Sequence, residues 1–302
     1  MPIPFLGELA ALGTSIAFSF GPMFFTMAGR EVGSVIVNRS RLVAALGILS
    51  ITHFFFYGTL LPVAAGGERW FWFALSGVIG LTLGDAGLFQ AFIMLGPRLT
   101  MLIFAISPVI SAVLGWLFLA ESLSALQMLG MAVTLAGVTW VVAERGGENK
   151  TELTPKEYSL GILFALIGAA GQAVGLFTAK IGLEGDYPAI SGQIIRMLAA
   201  AAAIWLWTFA KGKAKETVET LAKHPVAVRN ILIASLIGPS IGVWFSLVSV
   251  QATSLGVAST LQSLPPVFLI PIGYYFFKEK ITARAVIGTL VALAGVAILF
   301  MV

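Results

Sequence analysis

Residues 107–138 read SPVISAVLGWLFLAESLSALQMLGMAVTLAGV, and the pattern in this stretch predicts the fold of the chain. It holds parts of two apolar runs, at about 99–119 and about 124–143, with a polar break at Glu121 and Ser122 between them. Each run has about 20 residues, which is the length that an α-helix needs to cross the hydrocarbon core of a bilayer. The stretch therefore predicts two transmembrane helices joined by a short loop.

The same pattern extends over all 302 residues, of which 58% are hydrophobic and 11% charged. A water-soluble domain carries roughly 25% charged residues, so the composition excludes a soluble protein. The chain has no Cys, which excludes disulfides and thiolate zinc sites. Ten apolar runs predict ten transmembrane helices, at about 5–28, 33–56, 70–93, 99–119, 124–143, 157–179, 188–209, 229–251, 256–277 and 282–301.

The two halves of the chain are related by a shift of 158 residues, which lays residues 107–138 on a second copy near the C-terminus. The identical pairs are Pro108 and Pro266, Val109 and Val267, Gly115 and Gly273, Phe118 and Phe276, Glu121 and Glu279, Gly130 and Gly288, and the LAGV of 135–138 and 293–296. Five helices per half is an odd number, so the second half enters the membrane from the opposite side. We expect an all-α integral membrane protein with two inverted five-helix repeats, 1–143 and 157–302, joined by a polar linker at 144–156.

Basic residues are concentrated at one set of helix ends. Of the 18 Lys and Arg, all but Arg69, Lys180 and Arg196 lie near the connections that follow predicted helices 1, 3, 5, 7 and 9. The positive-inside rule places these connections in the cytoplasm and both termini outside. The lysine-rich connection at 211–225 is interpreted as a solvated segment or as a short interfacial helix.

Residues 107–138 resemble the signature of the drug/metabolite transporter superfamily, EamA branch, and residues 264–296 resemble a weaker copy of it. The resemblance covers essentially the whole chain. It implies ten helices in two inverted repeats and movement of small metabolites, often export of amino acids or related compounds. The family is often described with cytoplasmic termini and basic residues after the second helix, whereas this chain has only Arg69 there.

These observations predict a secondary active transporter that exports small organic metabolites, such as amino acids or related neutral or cationic compounds, by alternating access. An uncoupled facilitator, or a lipid-binding or sensor protein without flux, are the alternatives. No nucleotide-binding loop or HExxH motif occurs, so we expect no enzyme, no cofactor and no metal. Expected partners are a small-molecule substrate, membrane lipids and protons, but no nucleic acid, in a monomer or homodimer within a bacterial or archaeal plasma membrane.

Polar groups are costly in hydrocarbon, so acids within the predicted helices are candidates for function. Asp85 lies near the middle of the third predicted helix, and its repeat counterpart is Val243. It is interpreted either as a coupling or amine-binding carboxylate or as a buried, hydrogen-bonded one. Glu8, near the start of the first helix, resembles the proton-carrying glutamate of small multidrug resistance proteins, and an interfacial position is the alternative.

Four charged residues occur in equivalent pairs. Arg41 and Arg196 lie about two turns inside the second and seventh predicted helices, and Glu121 and Glu279 lie at the ends of the fourth and ninth. Inversion places Arg41 on the side of Glu279 and Arg196 on the side of Glu121. Ion pairs among these four would therefore cross between repeats, with a role in the fold favoured over substrate binding.

A transport path needs polar and aromatic groups near mid-membrane. Proposed lining residues are Ser19, Phe20, Gln90, Gln172, Trp244, Gln262, Ser263 and Tyr274. The glycines of the third predicted helix, residues 77, 80, 84 and 87, share one face, which predicts close helix packing. Prolines such as Pro108 and Pro266 are expected to interrupt helices and to free carbonyl groups.

Overall fold

The fold is known from a computed structural model, which describes residues 5–118, 124–143, 153–185, 187–253, 258, 261–262, 264–276 and 281–299. These described residues form helices and no strand. In chain order the main helices are α1 (Leu6–Val32), α2 (Ser34–Tyr57), α3 (Gly67–Leu95), α4 (Pro97–Phe118), α5 (Ala125–Ala143), α6 (Pro155–Gly182), α7 (Ala189–Ala210), α8 (Pro225–Ala252), α9 (Pro265–Phe276) and α10 (Ala283–Leu299).

Seven of these helices, α1 to α4 and α6 to α8, are long and apolar enough to cross a membrane. They confirm seven of the predicted runs, while α5, α9 and α10 are shorter apolar helices among the described residues, so the count of ten spans stays a prediction. The predicted starts of α6 and α8, at 157 and 229, were too late. Both helices begin at a proline, Pro155 and Pro225, because proline lacks the N–H that the first helical turn leaves unpaired.

A linker helix, Ala214–Lys223, forms between α7 and α8, where the sequence left a solvated segment and an interfacial helix open. It packs against α7 and α8, and the Arg39 guanidinium of α2 donates a hydrogen bond of 2.7 Å from Nη1 to its Thr217 hydroxyl. The lysine-rich connection is therefore an ordered helix at the basic ends of α7 and α8.

The helices pack across the two halves of the chain in an exchanged order. Among the described residues, α1 packs on α8 and α6 packs on α3, while α2 contacts α7, α4 contacts α9 and α5 contacts α10. The first helix of each half thus lies against the third helix of the other half. This exchange is the arrangement that two inverted repeats produce about a pseudo-two-fold axis.

Glycines permit the closest of these contacts, as predicted for α3. A Cβ added at Gly171 of α6 would lie 2.4 Å from the Cα of Gly84, and one at Gly77 would lie 2.2 Å from the carbonyl oxygen of Arg196. The α5–α10 pair uses the glycines of the repeated LAGV, since a Cβ at Gly137 or Gly295 would lie 2.4 or 2.3 Å from a backbone nitrogen of the facing helix. Lipid chains are as apolar as the helix surfaces, so the hydrophobic effect does not drive these helices together. Small residues instead let the two backbones approach closely enough for van der Waals packing.

Helix interruptions lie near the middle of the bundle. A π-helical segment, Gly77–Gly84, interrupts α3, and Leu236–Gly242 interrupts α8 at the equivalent position of the other repeat. In α4 a turn at Ala105 and Ile106 precedes Pro108, as the proline predicted. Such π-helical segments are frequent at functional sites, and both face the space between the repeats.

Candidate functional site

A cavity of about 70 Å³ lies between the two repeats and is bounded by α1, α2, α3, α4, α6 and α8. Its wall is mainly apolar and includes five phenylalanines, Phe18, Phe25, Phe89, Phe92 and Phe104. The charged and polar side chains in the wall are Arg41, Asp85 and Gln172. Both π-helical segments also contribute, through Leu81 and through Gly238 and Pro239. A hydrophobic space with a few convergent polar groups is the usual composition of a small-molecule site.

Arg41 and Asp85 form an ion pair in this cavity wall, between Nη2 and Oδ2. The side chain of Arg41 is 3% exposed and that of Asp85 is 15% exposed, so the pair is largely removed from solvent. The guanidinium carbon lies 4.8 Å from the centre of the Phe89 ring, which adds a cation–π contact. Asp85 is therefore a charge-paired carboxylate in this conformation, and its charge is not free for a substrate amine.

The π-helical segment of α3 places Asp85 and supplies further ligands to the arginine. Asp85 is the residue that follows the segment, and the carbonyl of Leu81 within it accepts a hydrogen bond of 3.2 Å from Arg41. The Asn38 side chain accepts a bond of 3.0 Å from Arg41 Nε and donates one of 3.4 Å to the carbonyl of Thr82. The carbonyls of Leu81 and Thr82 in the π-helical segment thus accept hydrogen bonds from two side chains of α2.

The second repeat contains an equivalent arginine and amide but no equivalent of the Asp85 carboxylate. Arg196 Nη1 donates a hydrogen bond of 3.1 Å to Gln193 Oε1, and the Gln193 amide donates one of 3.4 Å to the carbonyl of Pro239 in the π-helical segment of α8. The residue equivalent to Asp85 is Val243, which also lines the cavity. Arg196 is 0% exposed and lies behind the wall rather than in it.

A second polar cluster contains Gln262, which was predicted from the sequence to line the transport path. Its side chain accepts a hydrogen bond of 2.8 Å from the Ser246 hydroxyl and donates one of 2.6 Å to the Ser249 hydroxyl, so it is fully engaged with α8. Gln262 also borders a small cavity of about 20 Å³ together with Gln172 and Ser107. The structure therefore places Gln172 between the two cavities.

The other candidate site residues predicted from the sequence, where the structure describes them, do not line these two cavities. Gln90 accepts a hydrogen bond of 2.6 Å from Ser34, and Ser19 donates one of 2.7 Å to the carbonyl of Ser15. Among the described residues, the Thr253 hydroxyl donates a hydrogen bond of 3.5 Å to the Glu8 carboxylate. Trp244 packs against Phe56 and Phe245, while Phe20 and Tyr274 are 42% and 58% exposed on the surface of the bundle. Ser263, Glu121 and Glu279 lie outside the described residues.

The end of the bundle opposite the basic side is held by a polar network. His53 Nδ1 donates a hydrogen bond of 2.6 Å to the carbonyl of Thr59, and its Nε2 lies 2.9 Å from the Ser191 hydroxyl of α7. Tyr187, in the loop between α6 and α7, stacks under Arg69 at 4.7 Å, and burial raises the pKa of its hydroxyl above the usual value. The network joins α2 and α3 of the first repeat to α7 of the second.

The amides that support the two arginines, Asn38 and Gln193, were missed in the sequence. Each precedes its arginine by three residues, on the same helix face, in both repeats. A shift of 155 residues, which aligns Arg41 with Arg196, also aligns Asn38 with Gln193, so the signal was present in the sequence. Among the described residues, no group of three or more His, Asp or Glu could hold a metal ion.

Comparison with known proteins gives the family. The sequence model of the EamA-like transporter family matches residues 5–143 and 159–301, one match in each half of the chain. A search of curated proteins finds no match. A solved structure described only as "Crystal structure of protein" is similar with a TM-score of 0.65 and 16% identity, over 98% of this chain and 96% of that chain, which shows a shared fold. The chain therefore belongs to the EamA-like transporter family and is an integral membrane transporter.

Proposed function

We propose that the protein is a secondary active exporter of small organic metabolites, such as amino acids, that works by alternating access and carries its coupling proton on Asp85. The observation that carries this proposal is the Arg41–Asp85 ion pair in the wall of the cavity between the repeats. An ionisable pair within a membrane is expensive, and transporters retain such groups on substrate and proton pathways.

Protonation of Asp85 would change the pair directly. A neutral carboxyl group loses its charge attraction to the guanidinium and keeps only a weaker hydrogen bond, so Arg41 would be held mainly by its bonds to Asn38 and the Leu81 carbonyl. The cavity of about 70 Å³ is also far below the roughly 300–1,000 Å³ of a typical ligand site. The cavity must therefore widen in another conformation to admit a metabolite. We expect that breaking the Arg41–Asp85 ion pair triggers this widening.

The proposal is tested by flux into proteoliposomes with and without a pH gradient, using a panel of amino acids and related amines. We expect the gradient to drive accumulation by the wild type. Because Asp85→Asn alone would leave Arg41 unpaired, the informative variant is Arg41→Gln/Asp85→Asn, which removes both charges of the pair and leaves the net charge of the site unchanged. It is expected to move solute at the same rate with or without the gradient.

Two single variants serve as controls. Glu68→Gln removes an exposed acid in the first turn of the same helix, and its flux should respond to the gradient as in the wild type. Glu8→Gln separates the two acids, because loss of the response there would move the coupling site to α1. Wild-type flux that ignores the gradient would identify a facilitator, and no flux for any solute would favour the sensor alternative.

We further propose that the protein lies in a plasma membrane with both termini outside, as the basic side predicts. Epitope tags at Met1 and Val302 should then react with membrane-impermeant antibody in intact cells. Protection of both tags until the cells are permeabilised would reverse the orientation.

A further inference from the structure

The two equivalent arginines have unequal partners. Arg41 bonds to Asn38, to the Leu81 carbonyl and to Asp85, whereas in the described part of the chain Arg196 donates a single hydrogen bond, to Gln193. Arg196 is fully buried and its Nε has no hydrogen-bond partner. Among the described residues it forms no ion pair. A buried guanidinium with unused donors is costly, so its retention requires a compensating partner in some state of the protein.

Charge in the centre of the bundle is also unbalanced. The centre of the bundle holds two guanidinium groups, those of Arg41 and Arg196, but among the described residues only one carboxylate, that of Asp85, which is paired with Arg41. The position equivalent to Asp85 in the second repeat is Val243, which supplies no charge. The described centre of the bundle therefore carries one positive charge in excess, which a single anionic group would neutralise.

Arg196 lies immediately behind the cavity wall. Its Nη2 lies 3.7 Å from the point where a Cβ on Gly80 would be, and the next residue, Leu81, lines the cavity. Its partner Gln193 holds the carbonyl of Pro239, which lines the cavity from the second repeat. Access of a solute to Arg196 requires a second conformation of the bundle, such as the alternating-access state in which one repeat moves against the other.

We propose that Arg196 is the subsite for a carboxylate on the transported solute, which supplies the charge that Asp85 supplies to Arg41. The planar fork of a guanidinium binds a carboxylate through two parallel hydrogen bonds, and Nε is one of the two donors in that geometry. This inference rests on the proposed transport function and narrows its substrates to solutes with one carboxylate, amino acids included. Amines without a carboxylate are then poor substrates.

The first test measures binding to purified protein with matched pairs, each an acid and its carboxamide: alanine and alaninamide, leucine and leucinamide, lactate and lactamide. We expect the wild type to bind the acid of at least one pair about ten- to a hundredfold more tightly than its amide, the range for a charge-assisted hydrogen bond. Arg196→Gln should reduce that ratio to about twofold or less, and Arg229→Gln, which removes an exposed arginine of α8, should not change it.

The second test avoids removal of the buried arginine. Val243→Asp adds a carboxylate at the position equivalent to Asp85 and is expected to pair with Arg196, so that acids and amides bind equally. Val243→Asn has the same shape without the charge and should keep the preference for acids. Equal binding of acid and amide by the wild type, or a preference for acids that survives both Arg196→Gln and Val243→Asp, would overturn the proposal.

Flux separates this inference from the function on which it rests. Proteoliposomes that accumulate amides as fast as acids would retain the transporter and remove the carboxylate subsite. Proteoliposomes that move neither member of any pair would contradict both.

Discussion

Gly171→Ala is expected to lower the Tm of the purified protein by about 6–12 °C. The added methyl group would lie 2.4 Å from the Cα of Gly84. The clash is with the backbone of α3, so it cannot be relieved by a change of side-chain rotamer. Overpacking of this kind costs about 3 kcal/mol, and each kcal/mol shifts Tm by roughly 2–4 °C in a chain of this size class. Thermal unfolding in detergent, followed by intrinsic tryptophan fluorescence, measures the shift.

The matched control is Gly47→Ala on α2, where a Cβ would meet nothing within 4 Å. Alanine is the better helix former by roughly 0.5–1 kcal/mol, so this variant should be unchanged or slightly more stable. Gly77→Ala, whose methyl group would lie 2.2 Å from the Arg196 carbonyl, should behave like Gly171→Ala. A Tm for Gly171→Ala within about 1 °C of the control would show that α3 and α6 do not pack as closely as described.

Much of the fold was predictable because the membrane imposes it. Backbone groups in hydrocarbon must bond within their own helix, so runs of about 20 apolar residues predict helices directly. The repeat was readable because identities such as Glu121 and Glu279, or the two LAGV segments, recur at one shift. The glycine face of α3 was also predictable, since residues 77, 80 and 84 recur at helical spacing and do contact α6 or α7.

The partner of Arg41 was not predictable in the same way. The positions of the helix ends put Arg41 on the same membrane side as Glu279, and Asp85, nearer the centre, was interpreted as a coupling or amine-binding carboxylate or as a buried, hydrogen-bonded one. Two facts outside the apolar pattern join them: an arginine side chain spans more than one helical turn, and the π-helical segment turns the residues after it relative to a regular α-helix. Neither the rotation of α3 nor its distance from α2 is encoded in spacing along one helix.

The same limit explains the candidates that lie away from the cavities. Periodicity identifies which residues of a helix share a face, but in a membrane both faces are apolar, so the pattern does not say which face meets lipid. Tyr274 is exposed on the surface of the bundle, whereas Gln172 faces both cavities. Their sequence signals are equivalent, because each is one polar or aromatic residue in an apolar helix.

The second large effect is expected from the Arg41–Asp85 ion pair. Arg41→Gln and Asp85→Asn should each lower the free energy of unfolding by about 3–5 kcal/mol, because each leaves a buried charge without its partner. The double variant removes both charges of the pair, so it should be more stable than either single variant. The measurement is a double-mutant cycle on thermal unfolding, with an expected coupling energy of at least about 3 kcal/mol, because the double variant costs less than either single one.

An exposed pair on the linker helix gives the comparison for this cycle. Lys213 and Glu216 are 2.6 Å apart with side chains 55% and 59% exposed, so solvent screens them and their coupling should not exceed about 0.5 kcal/mol. A coupling as small for Arg41 and Asp85 would mean that water already reaches the pair, and the charge of Asp85 would then be available to solute in this conformation. A large coupling means that the pair must be broken before either charge can bind a solute or a proton, and the free energy of that step is what a pH gradient would supply.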